Sequence, residues 1–136
     1  MVKLPEEVFA LLNDQKAAKV LGTRSSNNDV HIINVGGSGA IDHETLFVGE
    51  IFMRKTSDNL KLAQKEKSKV ALLVSQGFKS YEVKASVKDY QTSGPVFDKM
   101  AAVFKSMKFD LKGLWLLHVE EVWNESPTFD AGKKMA

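Results

Sequence analysis

Residues 52–60 read FMRKTSDNL, and in this stretch an apolar run stops at two adjacent cations before a polar segment begins. The run that reaches Met53 starts at Thr45, and its composition predicts a strand over residues 45–53. Residues 57–67 carry Leu60 and Ala63 on one side of a polar segment, which predicts a modest amphipathic helix. The stretch therefore predicts that a strand turns into a helix at residues 54–56.

The residues of this turn, Arg54, Lys55 and Thr56, suit the binding of an anion. If Thr56 is the N-cap, the first N–H groups of the helix lack partners and the helix dipole adds partial positive charge. The two cations and the hydroxyl donor would then hold a phosphate. A capping box would need Glu or Gln where Asn59 stands. Taken alone, these residues leave two interpretations open, a phosphate site and a plain capped helix beside cations.

The segments on either side of the junction show the periodicities of further helices and strands. Two more helices are predicted from apolar positions at helical spacing, at residues 8–12 and at residues 96–107. The other strands are predicted at residues 19–24, 30–35, 70–75, 81–87 and 114–123. The run VALLVS at 70–75 is continuously apolar and predicts a central strand. Residues 126–136 are expected to form a loose tail.

Six strands, joined mostly by short turns and interrupted by three helices, predict a β-rich α+β fold. A closed or nearly closed antiparallel barrel is the expected architecture, because closure removes the exposed edges of a sheet. The length of 136 residues is typical of one domain, so we expect residues 1–136 to form a single unit.

The composition restricts the classes of function. The chain has no cysteine, which excludes thiol catalysis and disulfides and suits a cytoplasmic protein. Its 19 basic and 17 acidic residues give a net charge of +2, too balanced for a general nucleic-acid binder. The N-terminal segment does not resemble a signal peptide, and no window approaches about 18 consecutive apolar residues. We therefore expect a cytoplasmic protein with no membrane span.

The glycines at residues 36, 37 and 39 match no established phosphate-binding or nucleophile motif. Ala40 stands where the pattern G-x-S-x-G requires glycine, and Asp42 stands where G-x-G-x-x-G requires it. These glycines predict a bend or bulge after a strand, where the backbone can approach a ligand closely.

The three histidines, His31, His43 and His118, show no spacing that indicates a metal site or a hydrolytic triad. No catalytic residue and no metal ligand is therefore predicted from the sequence.

At the junction the sequence resembles the FMN-binding split-barrel family, which includes pyridoxamine 5′-phosphate oxidase-like proteins and small bacterial FMN-binding proteins. Residues 55–60 give the pattern K-T-x-x-N-L, and the basic-then-apolar run KVALLV follows at residues 69–74. The segment His31-Ile32-Ile33-Asn34 resembles the family's strand along the flavin. The resemblance extends over nearly the whole chain and implies a six-stranded antiparallel split β-barrel with three helices.

The resemblance also implies FMN as the cofactor. The residues that it implies for the site are Asn34, Val35, Gly36, Ile51, Phe52, Arg54, Lys55 and Thr56. The backbone of the first five would border the isoalloxazine ring, and the last three would hold the phosphate. A homodimer with the flavin at its interface is implied too, and Trp115 and Trp123 on one face of the last strand would supply aromatic surface for it.

The function implied is that of an FMN-binding flavoprotein, an oxidoreductase or electron-transfer protein supplied by a small-molecule or protein electron donor. The alternative is a non-catalytic binding protein on the same fold, for FMN storage or for deazaflavin or haem. Gly36 and Gly37 stand where small FMN-binding relatives can carry a bulky aromatic, which leaves the ring more exposed or admits another ligand. The arginines are Arg24 and Arg54, so the C-terminal Arg-x-His motif of authentic pyridoxamine phosphate oxidases is absent and vitamin B6 oxidation is not expected.

Overall fold

Helices and strands alternate irregularly along the chain. The computed structural model describes residues 2–136, and the helices in this range are α1 (Glu6–Leu12), α2 (Lys55–Glu66) and α3 (Pro95–Ser106). The strands are β1 (Ala18–Arg24), β2 (Val30–Asn34), β3 (Ser38–Asp42), β4 (Thr45–Glu50), β5 (Lys69–Gln76), β6 (Lys79–Gln91), β7 (Gly113–Asn124) and β8 (Lys133–Lys134). The predicted β-rich α+β class with three helices is confirmed for the described residues. None of these helices has the length and apolar character needed to cross a membrane.

All strands of the described range belong to one antiparallel sheet. Their spatial order is β2-β1-β5-β6-β7-β4-β3, and β8 lies beside β7. The prediction that β5 is central is confirmed, because it pairs with β1 on one side and β6 on the other. The number of strands was underestimated, since residues 2–136 form eight rather than six. The sheet is open in this range, because β2 and β3 stand at the two ends of the order instead of pairing to close a barrel.

The core lies between the sheet and the first two helices. Helix α1 contributes Val8 and Leu12, and helix α2 contributes Leu60 and Ala63. The strands add a continuous set of buried side chains that includes Leu21, Leu46, Val48, Leu72, Val74, Val83, Trp115, Leu117 and Val122. Removing this apolar surface from water is the main favourable contribution to folding.

Strand β3 begins at Ser38, within the stretch where the glycines predicted only a bend or bulge. Gly39 lies within this strand, and a Cβ atom there would come within 2.6 Å of Asn13 Oδ1 and 3.0 Å of the Phe47 ring. Asn13 Oδ1 also accepts a hydrogen bond of 3.0 Å from Ala40 N. Glycine is therefore required at this position because Asn13 and Phe47 leave no room for a side chain, not because the chain turns there.

The prediction of a loose tail at residues 126–136 is wrong. Gly132 N donates to Asn124 O at 2.6 Å, and Lys133–Lys134 pair with the end of β7 as β8. Met135 N then donates to Val122 O at 2.7 Å, and Met135 and Ala136 pack against the core. The final residues are thus held to β7 by backbone hydrogen bonds, which local composition does not reveal.

Helix α3 is attached to the rest of the fold mainly through Phe104. This side chain is 2% exposed, whereas Val103 and Met107 on the same apolar stripe remain 42% exposed. The Phe104 ring lies where Cβ atoms of Gly37 and Gly49 would otherwise be, and Gly49 N donates to Gly37 O at 2.8 Å. The helix predicted at 96–107 is confirmed with bounds Pro95–Ser106, but most of its apolar stripe is not buried.

Substitution of Gly113 by alanine is expected to destabilise the protein, because the new Cβ would overlap the ring and hydroxyl of Tyr90. Tyr90 cannot move freely, since its ring packs on Trp115 and its hydroxyl donates to Glu50. We expect Gly113→Ala to lower the free energy of unfolding by about 1–3 kcal/mol, as overpacking does. Urea denaturation monitored by tryptophan fluorescence measures the change.

The matched control is Gly22→Ala, whose Cβ would meet its nearest neighbours at an ordinary 3.7 Å. This variant should lie within about 0.5 kcal/mol of the unsubstituted protein. Equal stability of the two variants would contradict the packing of Tyr90 against Gly113.

Candidate functional site

An apolar cavity of about 300 Å³ opens at the end of β2. Its walls include Ile33, Asn34, Val35, Gly36, Gly37, Gly49, Ile51, Phe52, Met53, Phe104, Met107 and Phe109. All five residues predicted to border a flavin ring are among them. Phe52 is 87% exposed at the rim, and a Cβ at Gly36 would have no neighbour within 4 Å. The cavity therefore exposes both apolar side chains and open backbone to a ligand.

Sequence reasoning missed the wall that α3 and the following segment supply. Phe104 and Met107 were interpreted as core positions of an amphipathic helix, and Phe109 was not singled out. Phe104 is buried as expected, but it lines the cavity at the same time. Helical periodicity identifies such a face, yet it does not distinguish packing against protein from packing against a ligand.

The three residues predicted to hold a phosphate lie at the start of α2, outside the walls of this cavity. Met53 lines the cavity and Arg54 follows it directly, so the junction begins where the cavity wall ends. Lys55 lines a separate polar cavity of about 430 Å³, together with His31 and Asp58. β2 runs between the two cavities, with residues 33–34 at the apolar one and residues 30–31 at the polar one.

The start of α2 carries several hydrogen-bond donors without protein acceptors. Its first backbone bond runs from Asp58 N to Arg54 O at 3.1 Å, so the helix does not use the N–H groups of residues 55–57. Arg54 and Lys55 are exposed, and neither has a carboxylate within 4 Å in the described part of the chain. Full charges and helix N–H groups thus combine into a positively charged surface.

Thr56 is not the N-cap that the sequence predicted. Arg54 occupies the N-cap position without a capping side chain, and Thr56 is the second residue of the helix. Its side chain is buried, with the residue 1% exposed, and its hydroxyl has no hydrogen-bond partner among residues 2–136. An unsatisfied buried hydroxyl costs about 1–3 kcal/mol, so this group is a donor that gains from any acceptor it can reach.

Glu50 fixes the position of this helix start. Its carboxylate accepts hydrogen bonds from the Ser57 hydroxyl and, at 2.5 Å, from the Tyr90 hydroxyl. Burial, followed by the hydrogen bond to Glu50, raises the pKa of Tyr90 to about 12, so the phenol remains a donor at neutral pH. The cluster joins β4, α2 and β6 at one point. The sequence did not single out Glu50, because the strand predicted there continued to residue 53, whereas β4 ends at Glu50.

Among known proteins, the similarities of this chain are to solved structures, and they concern its fold. No family model matches the chain, and no curated protein matches it. The structure of HupZ from Group A Streptococcus matches with a TM-score of 0.80 and 16% identity, over 98% of this chain and 99% of that one. An FMN-binding protein from Syntrophomonas wolfei matches with a TM-score of 0.78 and 20% identity, over 90% of this chain and 86% of that one.

A candidate pyridoxamine 5′-phosphate oxidase from Lactobacillus delbrueckii matches with a TM-score of 0.71 and 22% identity, over 90% of this chain and 95% of that one. An F420 reductase and HutZ, the heme storage protein from Vibrio cholerae, match with TM-scores of 0.65 and 0.63. These identities establish similarity of fold and no more. The chain therefore has the split-barrel fold of pyridoxamine 5′-phosphate oxidase-like proteins, as its sequence resemblance implied.

Proposed function

We propose that the protein is an FMN-binding flavoprotein that holds the isoalloxazine ring in the apolar cavity and the phosphate at the start of α2. The observation that carries the proposal is the set of unpartnered donors at this helix start. Arg54, Lys55 and the N–H groups of residues 55–57 lack protein acceptors in the described range, directly after the cavity residue Met53. A dianionic phosphate would supply the missing acceptors and charge.

The cavity suits an aromatic ring. Its volume of about 300 Å³ lies at the lower end of the range for small-molecule sites, and most of its lining side chains are apolar. The open backbone at Gly36 and the side chain of Asn34, two residues earlier, offer polar groups at one edge. The Thr56 hydroxyl is buried in this conformation, so it would reach the phosphate only after a local rearrangement.

A bound flavin supplies hydride and electron transfer, and the protein supplies binding and orientation. The described cavity lining has no acidic, basic or histidine side chain, so it offers packing, exclusion of water and the polar groups of Asn34 and the backbone. Glu50 would act at a distance by holding Ser57 and hence the phosphate-binding turn. An oxidoreductase or electron-transfer role follows from the FMN proposal, supported by the FMN-binding protein among the structures of this fold.

The second candidate function is non-catalytic binding on the same fold, as FMN storage or with deazaflavin or haem as the ligand. It is favoured by the variety of proteins with this fold, which include an F420 reductase and a heme storage protein. Haem fits the described residues less well, because no histidine or tyrosine lines the apolar cavity as an axial ligand. The absorbance spectrum of the purified protein, followed by reduction with a nicotinamide donor, distinguishes these ligands and separates turnover from storage.

Lys55→Ala is expected to weaken FMN binding by about tenfold, because one charge-assisted contact to the phosphate is lost. Riboflavin, which lacks the phosphate, should bind the variant and the unsubstituted protein equally. Lys65→Ala removes the same charge from the last turn of α2 and serves as the matched control. Fluorescence titration of both flavins measures the affinities. Equal losses for FMN and riboflavin would show that the phosphate lies elsewhere.

Thr56→Val is expected to have opposite effects on the two forms of the protein. Without ligand it removes an unsatisfied buried hydroxyl, so the free energy of unfolding should stay constant or rise by up to about 1 kcal/mol. FMN affinity should fall, because the valine cannot donate to a phosphate. Chemical denaturation of the apoprotein and flavin titration measure the two quantities.

The control for this substitution is Thr23→Val, since the Thr23 hydroxyl accepts a hydrogen bond of 3.0 Å from the buried Asn59 amide. Leaving that amide without an acceptor should cost about 1–3 kcal/mol. If Thr56→Val destabilises the apoprotein as much, its hydroxyl has a protein partner in solution. If it leaves FMN affinity unchanged, the hydroxyl does not contact the phosphate.

A homodimer that covers the cavity completes the proposal. Phe52, Met107 and Phe109 are 87%, 42% and 45% exposed at the cavity, more apolar surface than an isolated monomer usually leaves there. Trp115 does not contribute, because it is 1% exposed and fills the core.

Sedimentation is expected to show a species of twice the chain mass at micromolar concentration. Phe109→Asp should shift it to the monomer and lower FMN affinity, because the charge would be buried at the interface. Phe78→Asp, at an exposed phenylalanine between β5 and β6 that does not line the cavity, should leave the dimer intact. A monomeric unsubstituted protein that still binds FMN fully would overturn the interfacial position of the flavin.

A further inference from the structure

A second cavity, of about 320 Å³, lies beside the first and shares Gly36, Gly37, Phe104 and Met107 with it. Its other apolar walls come from Phe47 and from Met100 and Val103 of α3. The polar side chains of its wall are Asn13, Gln15, Lys19 and Ser38. The cavity therefore combines an apolar surface with a cluster of polar groups, as sites for amphipathic small molecules do.

Lys19 is an unusual member of this wall, because the residue is 6% exposed and carries a charge. Its Nζ donates to Leu12 O at 3.1 Å and to Ser38 O at 2.8 Å, and both acceptors are neutral backbone carbonyls. No carboxylate lies within 4 Å of it in residues 2–136. An ammonium group has three N–H donors, so one remains without a protein acceptor.

The surroundings of Lys19 compensate its charge only in part. Leu12 is the last residue of α1, so its carbonyl belongs to the negative end of a short helix dipole. Burial lowers the pKa of Lys19, and the more distant charge of Asp14 opposes this effect without cancelling it. A buried cation without a contacting counter-ion is costly, and an anion bound in the adjoining cavity would reduce that cost.

We infer that this second cavity binds a small monocarboxylic acid, with the carboxylate on Lys19 Nζ and the apolar chain against Met100, Val103 and Met107. The unpartnered N–H and the uncompensated charge select the carboxylate. The flexible methionines accommodate chains of different shape, so the site specifies a chemical class rather than one compound. This site does not depend on FMN, although its shared wall places the acid next to the first cavity.

The test uses octanoate and 1-octanol as probes of equal chain length and different charge. In the protein labelled with 13C-methyl methionine, octanoate should shift the Met100 and Met107 signals saturably, with and without FMN present. Octanol should bind at least about tenfold more weakly, because it lacks the charge-assisted contact. Equal affinities for the two probes, or no saturable shift with octanoate, would overturn the inference.

The substitutions Lys19→Met and Gln15→Glu test the role of Lys19, and Lys16→Met is their control. All three lower the formal charge of the protein by one unit. Lys19→Met should reduce octanoate affinity to that of octanol, whereas Lys16→Met, at an exposed neighbour, should leave it unchanged. Gln15→Glu is isosteric and would place a competing carboxylate at the polar wall, so octanoate binding should weaken about tenfold and octanol binding should not.

Circular dichroism of each variant shows whether it remains folded. If Lys19→Met does not fold, the result with Gln15→Glu decides, because that exposed position is not needed for the core. Unchanged octanoate affinity in a folded Lys19→Met protein, or in Gln15→Glu when Lys19→Met is unfolded, would show that the carboxylate does not bind at Lys19.

Discussion

The carboxylate of Glu50 joins the parts of the structure on which the candidate site depends. It lies at the end of β4 and receives hydroxyl hydrogen bonds from Ser57 in the first turn of α2 and from Tyr90 in β6. The backbone carbonyl of Glu50 also accepts a hydrogen bond of 2.9 Å from Lys112 N. This bond holds the residue that precedes β7 at the same place. Hydrogen bonds to a charged acceptor are stronger than neutral ones and become more so away from bulk water. The unpartnered donors of residues 54–57 therefore have a defined place relative to the sheet.

Helix α3 gives the two cavities a common wall. Its only fully buried side chain, Phe104, occupies the space left by two glycines, and the cavities lie against this ring and Met107. The remaining apolar side chains of α3 are partly exposed, so Phe104 makes most of the buried contact between this helix and the sheet. Few buried contacts make an element easy to open locally, and α3 has this property where it borders the two cavities.

The sequence predicts the junction, the three helices and most of the strands, because those features depend on local periodicity and on residues adjacent in the chain. The family resemblance predicted that Asn34, Val35, Gly36, Ile51 and Phe52 lie together, and in the structure all five line one cavity. Strand β3 was not predicted. Its Gly39 is required because Asn13 and Phe47 leave no room for a side chain, and neither contact can be inferred from the residues next to it in sequence.

Lys19 and Thr56 illustrate the same limit at the level of side chains. Lys19 is held by the carbonyls of Leu12 and Ser38, which are 7 and 19 residues away in sequence. The alternating pattern of β1 therefore does not predict that this lysine is buried in the wall of a cavity. The orientation of the Thr56 hydroxyl likewise depends on how α2 packs against the sheet, which a capping pattern does not contain. Polar groups in tertiary contacts are therefore the least predictable part of this site.

The fit of Phe104 over Gly37 and Gly49 also constrains how sequences of this fold can diverge. A side chain at either glycine would occupy the volume of the ring, so each such substitution requires a smaller residue on α3. The three positions are thus expected to covary. A chain that carries an aromatic residue at the position of Gly37 would fill this space from the sheet instead of from the helix. The aromatic wall of the cavities can then come from the helix in one protein and from the sheet in another. A sequence alignment of α3 alone would not show that the two aromatic residues fill the same space.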